Sequence, residues 1–350
     1  MKAGLLGYPI SHSLSPAIHR AAYAALGLDW EYALYPCADQ AAFLRVITEA
    51  KREPGAFVGF NVTTPYKVAA WEVCSEHAPS CAVLGNANVL TFFREAPIYS
   101  LRPTWRPFSR LTALNDSSIS PASPAVVRLA RRENDSPSGA QAINRHFPAD
   151  AACGKPRLRG DNTDGCGLVA SLEHEAGVAV TASSVVLCGM GPVALSTLLA
   201  LIERKAASVI IVSRDPDRAR MQLRDFCARL NGAFSLPTMR VVGYGEVVES
   251  LAVADILIDA TSVGMDPTDG PVVPLEALRP ELTVLDVVYG HGETALIRGA
   301  REVGARAIDG LGMLVEQAAL TVELWALEQG RCVEAPREAM RQAALDRLAS

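Results

Sequence analysis

Short apolar runs alternate with amphipathic stretches over most of this chain. Residues 3–6 read as a strand, and 15–26 as a helix with Ser15 as its N-cap and Pro16 in its first turn. Residues 56–62 read as a second strand that stops at the turn Thr63-Thr64-Pro65. After residue 158 the alternation becomes regular. Strands are predicted at 185–188, 209–212, 239–242, 256–260 and 284–288, with helices running to about 203 and over 217–230. Two further helices are predicted over 314–327 and 336–348. Strands alternating with helices imply α/β architecture and, in the second half, a parallel, doubly wound sheet.

Between 95 and 156 the pattern collapses. The stretch holds eight of the 22 prolines and many serines, without helical or strand period. A compact domain seldom contains so long a structureless loop, so a disordered or loosely packed surface insertion is expected, with translated non-coding sequence as the alternative. Arg102, Arg106, Arg110, Arg128, Arg131 and Arg132 give it a mild basic excess, which reads more simply as a solvated loop than as a partner site.

At 350 residues the chain is long enough for two cores. Apolar residues make up 49% and charged residues 20%, the balance of a soluble protein. A net charge of −5 argues against nucleic acid as a partner. No uninterrupted apolar run of about 18 residues appears, and the apolar start is too short for a signal peptide, so neither membrane nor secretion is expected. The eight cysteines form no C-x-x-C pair. Reduced thiols in a cytoplasmic protein without a metal are the simplest reading.

The strand at 185–188 runs directly into Gly189-Met190-Gly191-Pro192-Val193-Ala194. In this G-x-G-x-x-A pattern Gly189 permits a tight turn, Gly191 lets the backbone approach a pyrophosphate, and Ala194 keeps the helix close to the sheet. The helix start adds amide donors and a favourable dipole, although Pro192 removes one donor. Alone the pattern is weak; between a strand and a helix it points to a Rossmann-like dinucleotide site. The next strand ends in Ser213-Arg214-Asp215-Pro216-Asp217-Arg218. Ser213 stands where NAD enzymes usually carry an acid, and Arg214 and Arg218 can bracket a 2′-phosphate, which favours NADP. Asp215 either repels that phosphate or pairs with an arginine.

Three polar clusters complete the candidate chemistry. Ser13 and Ser15 place two hydroxyls before a helix, a grip suited to a carboxylate, although Ser15 alone is more often a cap. Asn61, Thr63 and Lys67 end the 56–62 strand, and Asp161-Asn162-Thr163-Asp164 opens a helix. A lysine and a carboxylate brought together can handle the proton that accompanies hydride transfer.

Together these motifs resemble the shikimate dehydrogenase family over nearly the whole chain outside 95–156. The P-I-x-H-S-x-S-P stretch matches that family's carboxylate-binding signature at Ser13 and Ser15, and N-V-T-x-P-x-K matches at Asn61, Thr63 and Lys67. The resemblance carries over a substrate-binding Asn88, Asp164 as partner of Lys67, and Thr261 on the cofactor side. It also carries over Tyr289, Gln317 as a substrate ligand and Met313 as a nicotinamide neighbour. Three positions depart from the pattern: Val89 lacks a hydroxyl, Asp259 replaces an asparagine, and Gly290-His291-Gly292 replaces a proline-containing segment.

The resemblance implies reversible, NADPH-dependent reduction of 3-dehydroshikimate to shikimate, with Lys67 and Asp164 catalytic. It further implies a substrate domain of residues 1–166 plus 311–350 and an NADP-binding domain of 167–310, in a chain acting as a monomer or homodimer. A quinate/shikimate dehydrogenase using NAD or NADP is the rival within enzymes; serine at both 13 and 15 leans toward shikimate. A non-catalytic NADP-binding relative is the rival outside enzymes. Retention of Lys67, Asp164, Asn61, Asn88 and Gln317 argues against it, because a pure binder has no use for a proton-handling pair.

Overall fold

The structure, a computed structural model, describes residues 1–93 and 157–350. The predicted insertion at 95–156 lies outside them. The first strands and helices are β1 (Lys2–Gly7), α1 (Ser15–Leu26), β2 (Glu31–Pro36), α2 (Gln40–Arg52), β3 (Phe57–Val62), α3 (Lys67–Glu72), β4 (Glu76–His77), α4 (Pro79–Leu84) and β5 (Val89–Phe93). After the break come β6 (Arg157–Asp161), α5 (Asp164–His174), β7 (Ser184–Cys188), α6 (Pro192–Glu203), β8 (Ser208–Val212), α7 (Pro216–Leu230), β9 (Thr238–Val242) and α8 (Val247–Ala252). The chain closes with β10 (Ile256–Asp259), β11 (Thr283–Asp286), α9 (Ala295–Glu302), β12 (Arg306–Ile308), α10 (Gly310–Glu328) and α11 (Arg337–Ala349).

The strands form two sheets. The second, β12-β11-β10-β7-β8-β9, is parallel throughout and reverses its winding between β10 and β7. Such a switch point leaves a crevice at the carboxyl ends of the two central strands, where Gly189 follows β7. The first sheet has the order β2-β1-β3-β5-β6-β4 and is mixed: β1, β2 and β3 run parallel, while β5 is antiparallel to both β3 and β6. In the β5–β6 ladder Phe93 faces Arg157 and Val89 faces Asp161. The described flanks of the 95–156 stretch are therefore the two arms of one hairpin.

Two helices join the sheets. α5 packs on α6 on one side and on α10 on the other. Its glycines make this close approach possible: a Cβ on Gly165 would lie 1.9 Å from the Ser196 carbonyl oxygen, and one on Gly167 would lie 2.8 Å from the Gln317 nitrogen. The expected division at 166/167 falls inside this helix. α10 is long and apolar enough to cross a membrane by length and composition, which a search for an uninterrupted apolar run misses. Yet 72% of its apolar window is buried inside the protein, and Leu314, Val315, Val322 and Trp325 pack with Ile18, Tyr23 and Val58. It is a core helix, four residues longer at its start than its apolar pattern alone predicts.

One local expectation is corrected. Ser15 is not the cap of α1; that position is Leu14, which has helical backbone angles and offers no side-chain bond. Ser13 serves instead, its Oγ accepting from the Ser15 N–H at 3.2 Å.

Candidate active site

β1, β3, α1, α3, α5 and α10 converge on a cavity of about 160 Å³. Ser13 and Ser15 reach it from the start of α1, with their hydroxyls 3.1 Å apart. Asn61 and Thr63 come from the end of β3, Lys67 from the first residue of α3, and Asn88 from the residue before β5. Asp164 opens α5, Gln317 projects from α10, and Tyr289 follows β11. Every candidate substrate residue named from the sequence lines this one space.

Its centre is a charged pair. Lys67 Nζ lies 2.6 Å from Asp164 Oδ2, with the lysine side chain 18% and the aspartate 4% exposed. A pair this dry keeps most of its attraction, whereas an exposed one is nearly worthless. The other Asp164 oxygen accepts from Asn88 Nδ2 at 2.7 Å. That amide also reaches Thr163 Oγ1 at 3.1 Å and Gln317 Oε1 at 3.2 Å. It has two hydrogens for three acceptors, so one acceptor is free at any moment for a ligand hydroxyl.

Further residues fix these groups in place, and sequence reading assigned them no role. Asn88 Oδ1 accepts the Thr163 N–H at 2.9 Å, and Asn162 Oδ1 accepts the Asp164 N–H at 3.1 Å. Asn86 Oδ1 in turn accepts from Asn162 Nδ2 at 2.6 Å. On the far wall, Tyr32 donates to Asn61 Oδ1 at 2.9 Å and Asn61 Nδ2 donates to Thr321 Oγ1 at 3.3 Å, which sets the amide orientation from both ends. His19 stacks on Tyr32 with ring centroids 4.1 Å apart. Burial pushes its imidazole down to about 3, so this pocket wall stays neutral. Thr321 and His19 each lie four residues beyond a recognised site residue, Gln317 and Ser15, on the same helix face. That spacing is the signal that could have found them.

None of the dinucleotide candidates lines this cavity. Gly189 has φ +99°, and an added Cβ would meet Thr261 Cγ2 at 3.2 Å and the Ala260 carbonyl at 3.3 Å. Gly191 caps α6, and a Cβ there would point into open space. Ala194, the third residue of α6, is fully buried. Thr261 donates its N–H to Asp259 Oδ1 at 2.9 Å. Met313 is buried in the same apolar cluster as Met190 and Ala194, beneath the glycine turn. Ser213 makes a local bond to Asp215, whose carboxylate caps α7 by accepting from the Arg218 N–H at 3.0 Å. Asp215 therefore serves the helix rather than pairing with an arginine side chain. Arg214 and Arg218 are exposed, and among the described residues neither guanidinium makes a hydrogen bond or ion pair, although Arg214 is near enough to Tyr244 to act on its phenol. Among those residues no group of three His, Cys, Asp or Glu is placed to hold a metal ion.

A switch-point crevice with a glycine turn, beside a polar cavity built on a lysine–carboxylate pair, defines a two-sheet α/β protein of the dinucleotide-binding class. Comparison with known proteins narrows this. Residues 5–90 match the shikimate dehydrogenase substrate binding domain. The chain is 31% identical over 347 residues to the NADP(+) shikimate dehydrogenase of Methanosarcina acetivorans, covering 99% of this chain and 98% of that one. It superposes with TM-score 0.71 and 26% identity on a shikimate dehydrogenase solved with NADP+, covering 100% and 96% of the two chains. It also superposes with TM-score 0.68 and 25% identity on the Thermus thermophilus enzyme solved with NADP(H) and shikimate, covering 99% of each. The chain belongs to the shikimate dehydrogenase family.

Proposed function

We propose that this chain is an NADP-dependent shikimate dehydrogenase, catalysing the reversible reduction of 3-dehydroshikimate to shikimate. The observation that carries the reading is the convergence of Ser13, Ser15, Asn61, Thr63, Asn88, Tyr289 and Gln317 on one cavity with the Lys67–Asp164 pair. The relatives named above support both the reaction and the cofactor.

The residues around Gly189 fit a dinucleotide. The positive-φ turn, the open space over Gly191 and the amides at the start of α6 suit a pyrophosphate. Arg214 and Arg218, with Ser213 between β8 and α7, suit a 2′-phosphate, while Thr261 and Met313 border the turn. When bound, NADPH supplies the hydride that reduces the ketone carbon.

The protein's own part is grip and proton handling. Ser13 and Ser15 donate their hydroxyls to the substrate carboxylate, and Asn61, Thr63, Tyr289, Asn88 and Gln317 orient the ring hydroxyls. Lys67 donates a proton to the carbonyl oxygen as it gains negative charge, so the C=O becomes CH–OH and the lysine is left neutral until solvent reprotonates it. Asp164 holds Lys67 at 2.6 Å and accepts from a substrate hydroxyl. In this division residues 1–166 and 311–350 form the substrate domain and 167–310 the NADP domain, with α5 and α10 at their join. The free thiols among the described cysteines suit a cytoplasmic enzyme whose partners are small molecules, acting as a monomer or homodimer.

A steady-state assay with shikimate or quinate and NADP+ or NAD+, on wild type and Lys67→Ala, tests the reading. The expected result is shikimate-dependent NADP+ reduction, lowered about 10²- to 10⁴-fold in turnover by Lys67→Ala with a modest change in KM. Near-normal turnover in the variant removes Lys67 from the chemistry. Preference for quinate makes the chain a quinate dehydrogenase, and no turnover with a folded sample favours a binding protein.

A further inference from the structure

On the dinucleotide side one buried oxygen lacks a partner among the described residues. Asp259 ends β10 and is 1% exposed. Its Oδ1 accepts from Thr261, but its Oδ2 has no hydrogen-bond partner among the described residues. The parallel ladders place Asp259 between Cys188, the residue before Gly189, and Asp286 at the end of β11. The two carboxylates are thus register neighbours on adjacent buried strands. Asp286 is supplied with donors on both oxygens, Val288 N–H at 3.0 Å and the Thr294 hydroxyl at 2.7 Å. Asp259 is not. Two close buried carboxylates cannot both ionise cheaply, and a shared proton favours the one with an unsatisfied oxygen.

The remaining groups nearby do not change this. The Cys188 thiol on β7 is pushed up by burial and by both carboxylates, so it stays neutral. Tyr244, in the turn after β9, has its phenol raised by burial, Cys188 and Asp259; Arg214 acts on it in the opposite direction. Asp309, before α10, adds a negative charge that acts on Asp286. Burial first, and Asp286 second, push the Asp259 carboxyl up to about 7, against the pull of its bond from Thr261.

Asp259 also bears on the glycine turn. The Thr261 N–H that it holds belongs to a tight loop, in which Thr261 Oγ1 accepts from Val263 N–H at 3.1 Å. Thr261 Cγ2 and the Ala260 carbonyl lie against the position a Gly189 Cβ would take. We propose that Asp259 is a positioning residue for the dinucleotide. As a neutral acid it holds the 260–264 loop against the Gly189 turn, and as an anion it opposes the dinucleotide phosphates, so that binding carries a proton onto this carboxyl. The proposal rests on the reading that the dinucleotide occupies the Gly189–Ala194 turn.

The test measures the Kd for NADP+ by isothermal titration calorimetry from pH 5.5 to 8.5, in wild type, Asp259→Asn and Asp259→Ala. The ratio of wild-type Kd to that of Asp259→Asn should rise through pH 7, at up to about tenfold per pH unit. Asp259→Ala, which loses the acceptor for Thr261, should bind more weakly than Asp259→Asn at every pH. A second readout needs no dinucleotide. A carboxyl whose folded pKa is raised loses stability as pH climbs from the unfolded value near 3.9 through about 7, because the folded state holds the extra proton. The Tm advantage of Asp259→Asn over wild type should therefore widen from pH 5 to pH 8. Parallel affinity profiles, or a Tm difference independent of pH, overturn the proposal alone. Absence of NADP+ binding at every pH in all three proteins overturns the functional reading and the proposal with it.

Discussion

In the cavity on the first sheet, side chains are held by other side chains: Lys67 by Asp164, Asp164 by Asn88, Asn88 by Thr163 and Gln317, and Asn61 by Tyr32 and Thr321. At the switch point of the second sheet few groups hold one another: there are a positive-φ glycine, an open Gly191, two exposed arginines and a carboxyl oxygen without a hydrogen-bond partner among the described residues. On the proposed function the difference follows from what each region would recognise. A small polyol offers a few hydroxyls whose positions must be read to a fraction of an ångström, so its groups are oriented in advance. A dinucleotide offers phosphates and a long surface, which amides, a helix dipole and exposed arginines can grip as it arrives.

The strongest way to break this contrast is to remove one member of the pre-oriented set. Asp164→Ala frees Lys67 and removes one of the three acceptors of the Asn88 amide, and turnover should fall about 10²- to 10³-fold. Asn88→Ala should cost about 10- to 100-fold, since it unpairs one Asp164 oxygen and the Thr163 N–H without touching the ion pair. The double variant should be little worse than Asp164→Ala, because both changes damage one unit. Turnover losses that multiply in a steady-state cycle would show that the residues act separately and that the network is only scaffolding.

Arg214→Ala probes the other region. If Arg214 holds the 2′-phosphate as proposed, its removal should raise KM for NADP+ about tenfold, leave KM for NAD+ unchanged and leave kcat nearly intact. A fall in kcat instead would mean that this side is as pre-oriented as the cavity.

These two regions were also unequally legible. The glycine turn was readable because strand, turn and helix are contiguous, and the five predicted strands of the second sheet fall within a residue or two of their apolar runs, while the three-residue edge strand β12 was too short to predict. The motif residues of the cavity were readable one cluster at a time, but what ties them together was not. Tyr32 sits on β2, a strand whose half-exposed run gave no period, and it meets Asn61 only through sheet pairing. Asn162 stood inside a recognised cluster and Asn86 lies two residues before the recognised Asn88, but their mutual bond spans 76 positions. The mixed character of the first sheet was hidden for a related reason. A hairpin announces itself by a short turn between two strands, and here the two arms are separated by the 95–156 stretch.

That hairpin sets the smallest expected effect. β5 begins one residue after Asn88 and β6 ends three residues before Asp164, so the pairing of Val89 with Asp161 is what brings the amide to the carboxylate. The ladder runs on to Phe93 and Arg157, and Arg157 also pairs with Glu76 of β4 at 2.7 Å and covers the Phe93 ring. Its register is fixed by these contacts on the described side. Replacing 95–156 by a turn of about four residues should therefore leave kcat/KM within about twofold. Closing the shorter loop costs less entropy, by about 2 kcal/mol if the removed stretch contributes no contacts of its own. Chemical denaturation of the shortened chain measures this directly. A gain in stability with unchanged kinetics means the cavity is held by the ladder alone, whereas a loss of either would place contacts from 95–156 among the supports of the substrate side.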